Sequence, residues 1–368
     1  INFIYANYAD SLKTLLGELP ENELPAIYNK LSNLYMDSVG NQAIEFALKS
    51  IEISEKHGLD ERLCYAYIML GSAYLAKSDY KNALEIFKQS ITYAENINNR
   101  FHLHTINNNI GVIYRNVEEH ELALTYFHSA LKHAKAIDDK ESIMQTLTNI
   151  GNVYAINKNY NEGLEYFLLA AEIGESAESL TMNLPGVYNN IGWIFQMTEK
   201  YDDAMKYYKS AHDIFDSLNV IWGKVIILNN MAGVLILENR MYEAEQLIIL
   251  ADSLHDSSDL RQSKMNLYQT AYQLYESTQQ FQKAFFYQSK YHEIKDSVHS
   301  EELDQLIHEL KTQYEVEGLK KESELKQLNI SKKNNLIYTL FIIIGLIIIS
   351  ALILIRLNQQ KTELNKKL

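Results

Sequence analysis

Between residues 24 and 298, apolar positions recur at spacings of three and four residues, and short polar segments interrupt them at regular intervals. Apolar residues at i, i+3, i+4 and i+7 are typical of one face of an α-helix. Polar segments such as Lys77-Ser78-Asp79 separate the successive stretches, so the pattern predicts helices joined by tight turns. Three prolines and 14 glycines in 368 residues leave few breaks in such helices, and the chain is therefore predicted to be all-α.

The pattern repeats about every 40 residues. Four similar segments begin at Leu70, Ile110, Ile150 and Ile191, and the residue that follows in each is Gly71, Gly111, Gly151 or Gly192. Weaker copies on both sides bring the number of repeats to seven, each interpreted as two helices in which Gly71 of the first faces Ala83 of the second. A single pair cannot bury its apolar face, so the pairs are expected to stack along the chain.

These positions resemble the tetratricopeptide repeat, whose signature places small residues, an aromatic residue and alanine at the same offsets. The unit here is about six residues longer than the usual repeat and lacks its terminal proline, which is more similar to the long-helix repeats of kinesin light chains and bacterial peptide-sensing regulators. The resemblance covers roughly residues 24–298. It implies a superhelical solenoid of about seven helix pairs over residues 1–298, although another solenoid of paired helices would produce the same periodicity.

The resemblance also implies a binding groove, lined by the first helix of each pair. In this family the residue two positions before the repeat's small residue points into the groove, and here these residues are Asn109, Asn149, Asn190 and Asn230. A carboxamide carries two donors and an acceptor, so such a column can pair with the main chain of an extended peptide. Asn152 and Trp193, one position after their glycines, would add specificity. The expected partner is a protein or an extended peptide; alternatively, the asparagines only solvate the groove.

Some tetratricopeptide-repeat domains hold a terminal carboxylate with paired lysines and an arginine. The corresponding positions here include neutral residues at 108, 145, 149 and 152, which argues against that carboxylate clamp.

Composition excludes several other classes of function. The formal charge of -13 argues against a large nucleic-acid surface, which needs basic residues to displace counterions from phosphates. The single cysteine, Cys64, excludes an internal disulfide and a cysteine-rich zinc site. The sequence contains no glycine-rich phosphate loop and no catalytic constellation that spacing can support. No enzyme activity, cofactor or metal is therefore predicted for these residues.

The character of the chain changes after Ser297. Residues 299–333 are charged, with apolar positions spaced four, three and four between Leu303 and Tyr314, which predicts either a dimeric coiled coil or one amphipathic helix that caps the solenoid. The segment from Leu336 to Ile355 contains no charge and, as a helix, would span about 30 Å, the thickness of a bilayer's hydrocarbon core. A transmembrane helix is predicted over residues 334–356 and a juxtamembrane tail over residues 357–368.

Repeats, charged coil, single span and tail, in this order, are similar to the sensor half of Bacteroidetes-type signalling proteins. In that group the tail leads into a histidine kinase or a DNA-binding helix-turn-helix domain. The resemblance implies a single-pass sensor of the bacterial inner membrane that signals to an effector beyond these residues. The basic residues around the span slightly favour a cytoplasmic tail, which would place the repeats in the periplasm. The alternative is a membrane-tethered scaffold without a signalling output.

Overall fold

The structure is a computed structural model that describes residues 2–36, 40–176, 182–254 and 261–296. Within these ranges it contains fifteen α-helices, a single 3-10 turn at Glu21–Glu23 and no strand, which confirms the all-α prediction. The helices are α1 (Asn2–Leu15), α2 (Leu24–Leu34), α3 (Gly40–His57), α4 (Asp60–Ala76), α5 (Tyr80–Asn96), α6 (Arg100–Asn116), α7 (His120–Ala136), α8 (Lys140–Ile156), α9 (Tyr160–Glu175), α10 (Leu184–Met197), α11 (Tyr201–Ser217), α12 (Ile221–Leu237), α13 (Met241–Ser253), α14 (Arg261–Ser277) and α15 (281–296).

The chain divides into two compact units, Ile1–Tyr291 and His292–Leu368. The predicted coil (299–333), transmembrane helix (334–356) and tail (357–368) lie outside the described residues. In the part of the chain that the structure describes, no helix combines the length and apolar character that crossing a bilayer requires.

Helix length and turn length together produce the 40-residue period. Helices α4 to α8 have 17 residues each, and three residues separate each helix from the next. The middle residue of these turns has a positive φ, at Ser78, Asn98, Glu118, Asp138 and Lys158. In the turn after α6, the Glu118 N–H donates to the Arg115 carbonyl (3.1 Å) and the Glu119 N–H to the Tyr114 carbonyl (2.9 Å). These two bonds pair carbonyls that the helix end would otherwise leave unpaired.

Helices α2 to α13 form six consecutive pairs, and α14 pairs with residues 281–291 through the stacked rings of Tyr275 and Tyr287, which gives the seven pairs expected from the repeats. Successive first helices contact each other directly, as α4 does α6 and α6 does α8, and as α10 does α12. Among the described helices, successive second helices make no contact of comparable extent. The first helices therefore form the inner layer of the stack in the unit Ile1–Tyr291, and the second helices form the outer layer.

The repeated glycines of the first helices lie against aromatic rings of the second helices. A Cβ added at Gly151 would stand 2.6 Å from the Phe167 ring, and the same distance separates a Cβ at Gly111 from the Phe127 ring. The contact between small residues that was predicted for Gly71 and Ala83 is present at the equivalent pair, where a Cβ at Gly163 would stand 3.2 Å from the Gly151 carbonyl oxygen. Each of the four repeated glycines thus meets a buried aromatic ring sixteen positions along the chain, and Gly151 also meets a small residue.

Many of the 26 tyrosines stack within a helix pair. Their ring centroids lie 5.4 to 5.6 Å apart and their planes are 8 to 21° from parallel in Tyr114–Tyr126, Tyr154–Tyr166, Phe195–Tyr207 and Tyr275–Tyr287. The two rings of each pair are twelve residues apart, which places one near the end of the first helix and the other in the second. These stacks contribute to holding the two helices of a pair in register.

Candidate peptide-binding groove

The four predicted groove asparagines lie on the first helices α6, α8, α10 and α12, and all four are half-buried. Each donates a hydrogen bond from its amide to a polar side chain of the preceding first helix. The donor–acceptor pairs are Asn109 to Ser72 Oγ (3.2 Å), Asn149 to Asn108 Oδ1 (2.9 Å), Asn190 to Asn152 Oδ1 (3.1 Å) and Asn230 to Asn189 Oδ1 (2.8 Å).

This asparagine column therefore links successive repeats across the inner layer. One N–H of each amide is already used, so a peptide could engage only the second N–H and the oxygen. The column has a structural role that accounts for its regular spacing without any ligand. Contact of these asparagines with a peptide stays a prediction.

Three of the predicted residues line one cavity. Asn152, Asn190 and Trp193 surround a space of about 440 Å³ between α8 and α10, and the other lining residues are Arg115, Ala155, Ile156 and Phe167. Ile156 keeps 57% of its surface exposed, and the Trp193 ring meets Tyr160 edge-on at 5.9 Å between centroids. An apolar wall with a few convergent polar groups is the usual composition of a ligand site.

Arg115 is the charged member of this cavity, and the repeat pattern did not single it out. Its guanidinium donates from Nη1 to Asn149 Oδ1 (3.4 Å) and from Nη2 to Asn116 Oδ1 (3.2 Å). Burial lowers the pKa of Arg115, and the nearby Tyr80 hydroxyl raises it to a smaller extent. An arginine remains charged at neutral pH in any protein environment, so the cavity carries a positive charge. Asn149, although not a lining residue, orients this charge.

A second, smaller cavity lies next to Asn230. It has a volume of about 180 Å³, and its lining includes Asn189, which accepts the Asn230 hydrogen bond, together with the Trp222 and Phe215 rings. The Trp222 and Phe215 ring centroids are 5.4 Å apart. Asn109 borders neither of these cavities and contacts Ser72 of α4.

Neither the Cys64 thiol nor the histidine and acidic side chains of the described ranges form a nucleophilic or metal-binding site. Cys64 is buried, and desolvation raises the pKa of its thiol to about 12, so the nucleophilic thiolate is scarce at neutral pH. Across the described ranges, no three histidine, cysteine, aspartate or glutamate side chains converge as a metal site would require.

Comparison with known protein families identifies the repeat. Two tetratricopeptide-repeat profiles match the chain, one over residues 142–217 and the other over residues 65–97. The first range falls within α8 to α11, and the second runs from α4 through α5 to Ile97. These segments are tetratricopeptide repeats, as their glycine and aromatic spacing predicted. No curated protein matches the chain in sequence.

Solved structures share the fold at low sequence identity. A signal transduction ATPase with numerous domains from Pyrococcus horikoshii, which has a tetratricopeptide-repeat sensor, is 16% identical with a TM-score of 0.55; the match covers 80% of this chain and 49% of that one. Aspartyl phosphate phosphatase F from Bacillus subtilis is 15% identical with a TM-score of 0.52 and 76% of each chain covered. A tetratricopeptide repeat protein from Parabacteroides merdae is 15% identical with a TM-score of 0.50, covering 74% of this chain and 93% of that one.

This chain spans about half the length of the Pyrococcus protein. At such identities the likenesses establish the repeat fold alone.

Proposed function

We propose that this stack of tetratricopeptide repeats binds an extended peptide segment of a partner protein along its inner layer. The observation that carries the proposal is the cavity between α8 and α10, where Asn152, Asn190 and Trp193 converge with an exposed apolar side chain, Ile156. The repeats supply the scaffold for protein–protein interaction, and the first helices supply the surface of the inner layer.

Each group in the cavity has a distinct role in this proposal. The Trp193 and Ile156 side chains bury an apolar side chain of the peptide, which provides most of the affinity. The Asn152 and Asn190 amides are already joined to each other, and their remaining donors and acceptors pair with the peptide main chain. Because the amides are held by the protein, little side-chain entropy is lost on binding.

The test uses a random peptide library displayed on phage and selected on the immobilised protein. Affinity for the enriched peptides is then measured by fluorescence anisotropy for wild type, Ile156→Glu and Leu169→Glu. Ile156 and Leu169 are 57% and 49% exposed, so neither substitution places a charge in the core. Ile156 lines the cavity, whereas Leu169 lies on α9 in the outer layer.

Ile156→Glu is expected to weaken binding by about tenfold or more, the loss of a central contact, while Leu169→Glu leaves affinity within about twofold. Equal affinities of the two variants would place the peptide elsewhere on the molecule, and a library without enriched peptides would remove the proposal.

We further propose that the repeats are tethered to a membrane and transmit occupancy of the groove through the coil and the span. Support comes from the uncharged run Leu336 to Ile355, long enough to cross a bilayer as a helix, and from its basic flanks. The resemblance to sensor proteins supports a signal that passes from the repeats through the coil and the span. A membrane-tethered scaffold that only recruits partners is the alternative.

Membrane fractionation of the expressed chain tests the tether. The chain is expected to remain with the membrane after alkaline carbonate washing, and deletion of residues 336–355 is expected to release it. A chain that washes off intact would contradict the tether. Crosslinking within residues 299–333 that changes on addition of a selected peptide would support signalling over the scaffold alternative.

A further inference from the structure

The groove cavity holds a positive charge without an acidic partner. Arg115 forms no ion pair with any carboxylate in the described ranges; its two side-chain bonds go to the neutral oxygens of Asn149 and Asn116. A guanidinium has five N–H donors, so three of them remain for another acceptor. A half-buried charge that lacks a counter-ion is costly to a protein unless a ligand supplies one.

The neighbouring residues fix this charge in one orientation. Asn149 accepts from Arg115 and donates to Asn108 (2.9 Å), while Asn116 accepts from Arg115 and donates to the Tyr80 hydroxyl (3.5 Å). The guanidinium is thus bonded by Asn149 and Asn116, and each of these side chains is fixed by a further hydrogen bond. Such a fork is suited to a planar anion that can receive two parallel hydrogen bonds.

Arg115 is an exception within the repeat. The equivalent positions, four residues after the small residue of the first helix, are Leu75, Ala155, Gln196 and Ile236. No other repeat in this set places a charge there, so the arginine is not part of what the fold requires. Its cavity also contains the donors of Asn152 and Asn190 and the apolar wall of Ile156 and Trp193.

We infer that this cavity recognises a carboxylate of the bound peptide next to an apolar side chain, with Arg115 pairing the carboxylate and Trp193 and Ile156 covering the apolar group. This inference rests on the proposed peptide binding and names the ligand chemistry at one point of the groove. The carboxylate can be a peptide's C-terminus or an aspartate or glutamate side chain. A single arginine near the end of α6 differs from the clamp of paired lysines that the sequence argued against.

The experiment compares matched synthetic peptide pools for binding to the 368-residue chain. In the first pair of pools, one pool has a free C-terminus and the other an amidated C-terminus. In the second pair, one pool contains aspartate and glutamate where the other contains asparagine and glutamine. Binding is measured for wild type, Arg115→Gln, Arg115→Lys and the control Arg100→Gln. Arg100 is exposed at the other end of the same helix, α6. Circular dichroism during heating checks that each variant is folded.

Wild type and Arg100→Gln are expected to prefer the carboxylate member of one pair by about tenfold, a charge-assisted bidentate bond being worth at least that factor. Arg115→Gln is expected to abolish the preference and Arg115→Lys to retain part of it. Which pair shows the preference identifies the source of the carboxylate. Equal binding of both members by wild type, or an unchanged preference in Arg115→Gln, would overturn this inference and leave peptide binding intact. No binding to any pool would overturn both.

Discussion

At the scale of single residues, the glycines of the first helices are the recurring positions that the packing explains most directly. Their spacing was visible in the chain, and the structure gives its reason: the ring sixteen residues on occupies the space that a Cβ would need, as Phe167 does at Gly151. The ring itself was not predicted to be the partner, because periodicity shows that positions recur and not which of them touch.

Gly151→Ala is expected to lower the free energy of unfolding by about 1–3 kcal/mol, since the new methyl group would stand 2.6 Å from a ring atom of Phe167 in a filled core. Gly233→Ala is the matched control, because a Cβ there meets nothing nearer than the Gln196 amide at 3.7 Å. The control is expected to gain about 0.5–1 kcal/mol from helix propensity. Urea unfolding followed by circular dichroism measures both, and a loss of equal size in the two variants would contradict the packing role of Gly151.

Two buried histidines of α6 predict a dependence of stability on pH. Desolvation lowers the pKa of His102 and His104 from 6.5; His104 bonds Thr146 Oγ1 at 3.0 Å through Nε2, and neither ring nitrogen of His102 has a partner in the described part of the chain. For His104, Asp139 offsets the shift and His133 adds to it. The unfolded chain therefore binds more protons than the folded chain as the pH drops below 6.5, and stability falls with it.

The thermal midpoint is expected to decrease between pH 7.5 and 5.5, and to decrease less in His104→Gln, which keeps a polar group near Thr146 but does not titrate. Carboxylates such as Glu21 and Glu243, whose pKa values ion pairs lower, act only below their ordinary value of 4.5 and do not interfere in this window. An identical midpoint shift in wild type and His104→Gln would show that His104 contributes nothing to the pH dependence.

Arg115 could not be predicted as a site residue from the repeat pattern. That pattern identifies residues that recur at equivalent positions, whereas Arg115 carries a charge that its equivalents lack. The predicted site residues Asn152, Asn190 and Trp193 do come together, whereas Asn109 and Asn230 lie elsewhere on the inner layer. The bonds within the asparagine column could not be predicted, because they depend on the separation of successive first helices.

At the scale of helices and turns, the repeat of about 40 residues is explained by the short turns between helices, in which the middle residue has a left-handed conformation. The polar segments predicted where the turns lie, but the residues at Ser78, Glu118 and Lys158 share no side-chain chemistry that would have indicated a positive φ. The conformation is imposed by the carbonyls at the helix end, which each turn pairs in the same way. The turn after α3 uses a glycine, Gly58, at the same place with φ 64°.

Glu118→Gly is expected to raise the free energy of unfolding by up to about 1 kcal/mol. The glutamate has φ 63°, which costs a non-glycine residue about 1–2 kcal/mol, and the greater freedom of glycine in the unfolded chain offsets part of the gain. Glu119→Gly, one residue on and at φ -84°, is expected to be destabilising, since there glycine adds only entropy to the unfolded chain. The order of the two variants in a urea titration checks the prediction, and the reverse order would refute it.

At the scale of the whole molecule, the number of helix pairs and the all-α class follow directly from the periodicity of apolar residues. Assignment of first helices to the inner layer came from family resemblance, and the contacts between α4 and α6 and between α6 and α8 support it. The predictions for residues 299–368 rest on the sequence alone, because those residues lie outside the described ranges.

Because each helix pair contacts only its neighbours, the effect of a local substitution on local stability is expected to decrease with distance along the stack. In Gly151→Ala, amide hydrogen exchange is expected to accelerate in α8 and α9, less in α6, α7, α10 and α11, and not at all in α2 and α3. Mass spectrometry after deuterium labelling resolves these segments. A uniform acceleration along residues 24–291 would show that the unit unfolds as one body instead.

The central claim is that a peptide binds in the cavity between α8 and α10, and the fluorescence of Trp193 tests it most directly. The chain has two tryptophans, so Trp222→Phe leaves Trp193 as the single reporter of that cavity. On titration with a selected peptide that lacks tryptophan, the Trp193 emission is expected to shift to shorter wavelength and to saturate at the affinity measured by anisotropy. Binding at an unchanged affinity with no change in the Trp193 emission would place the peptide away from this cavity and contradict the claim.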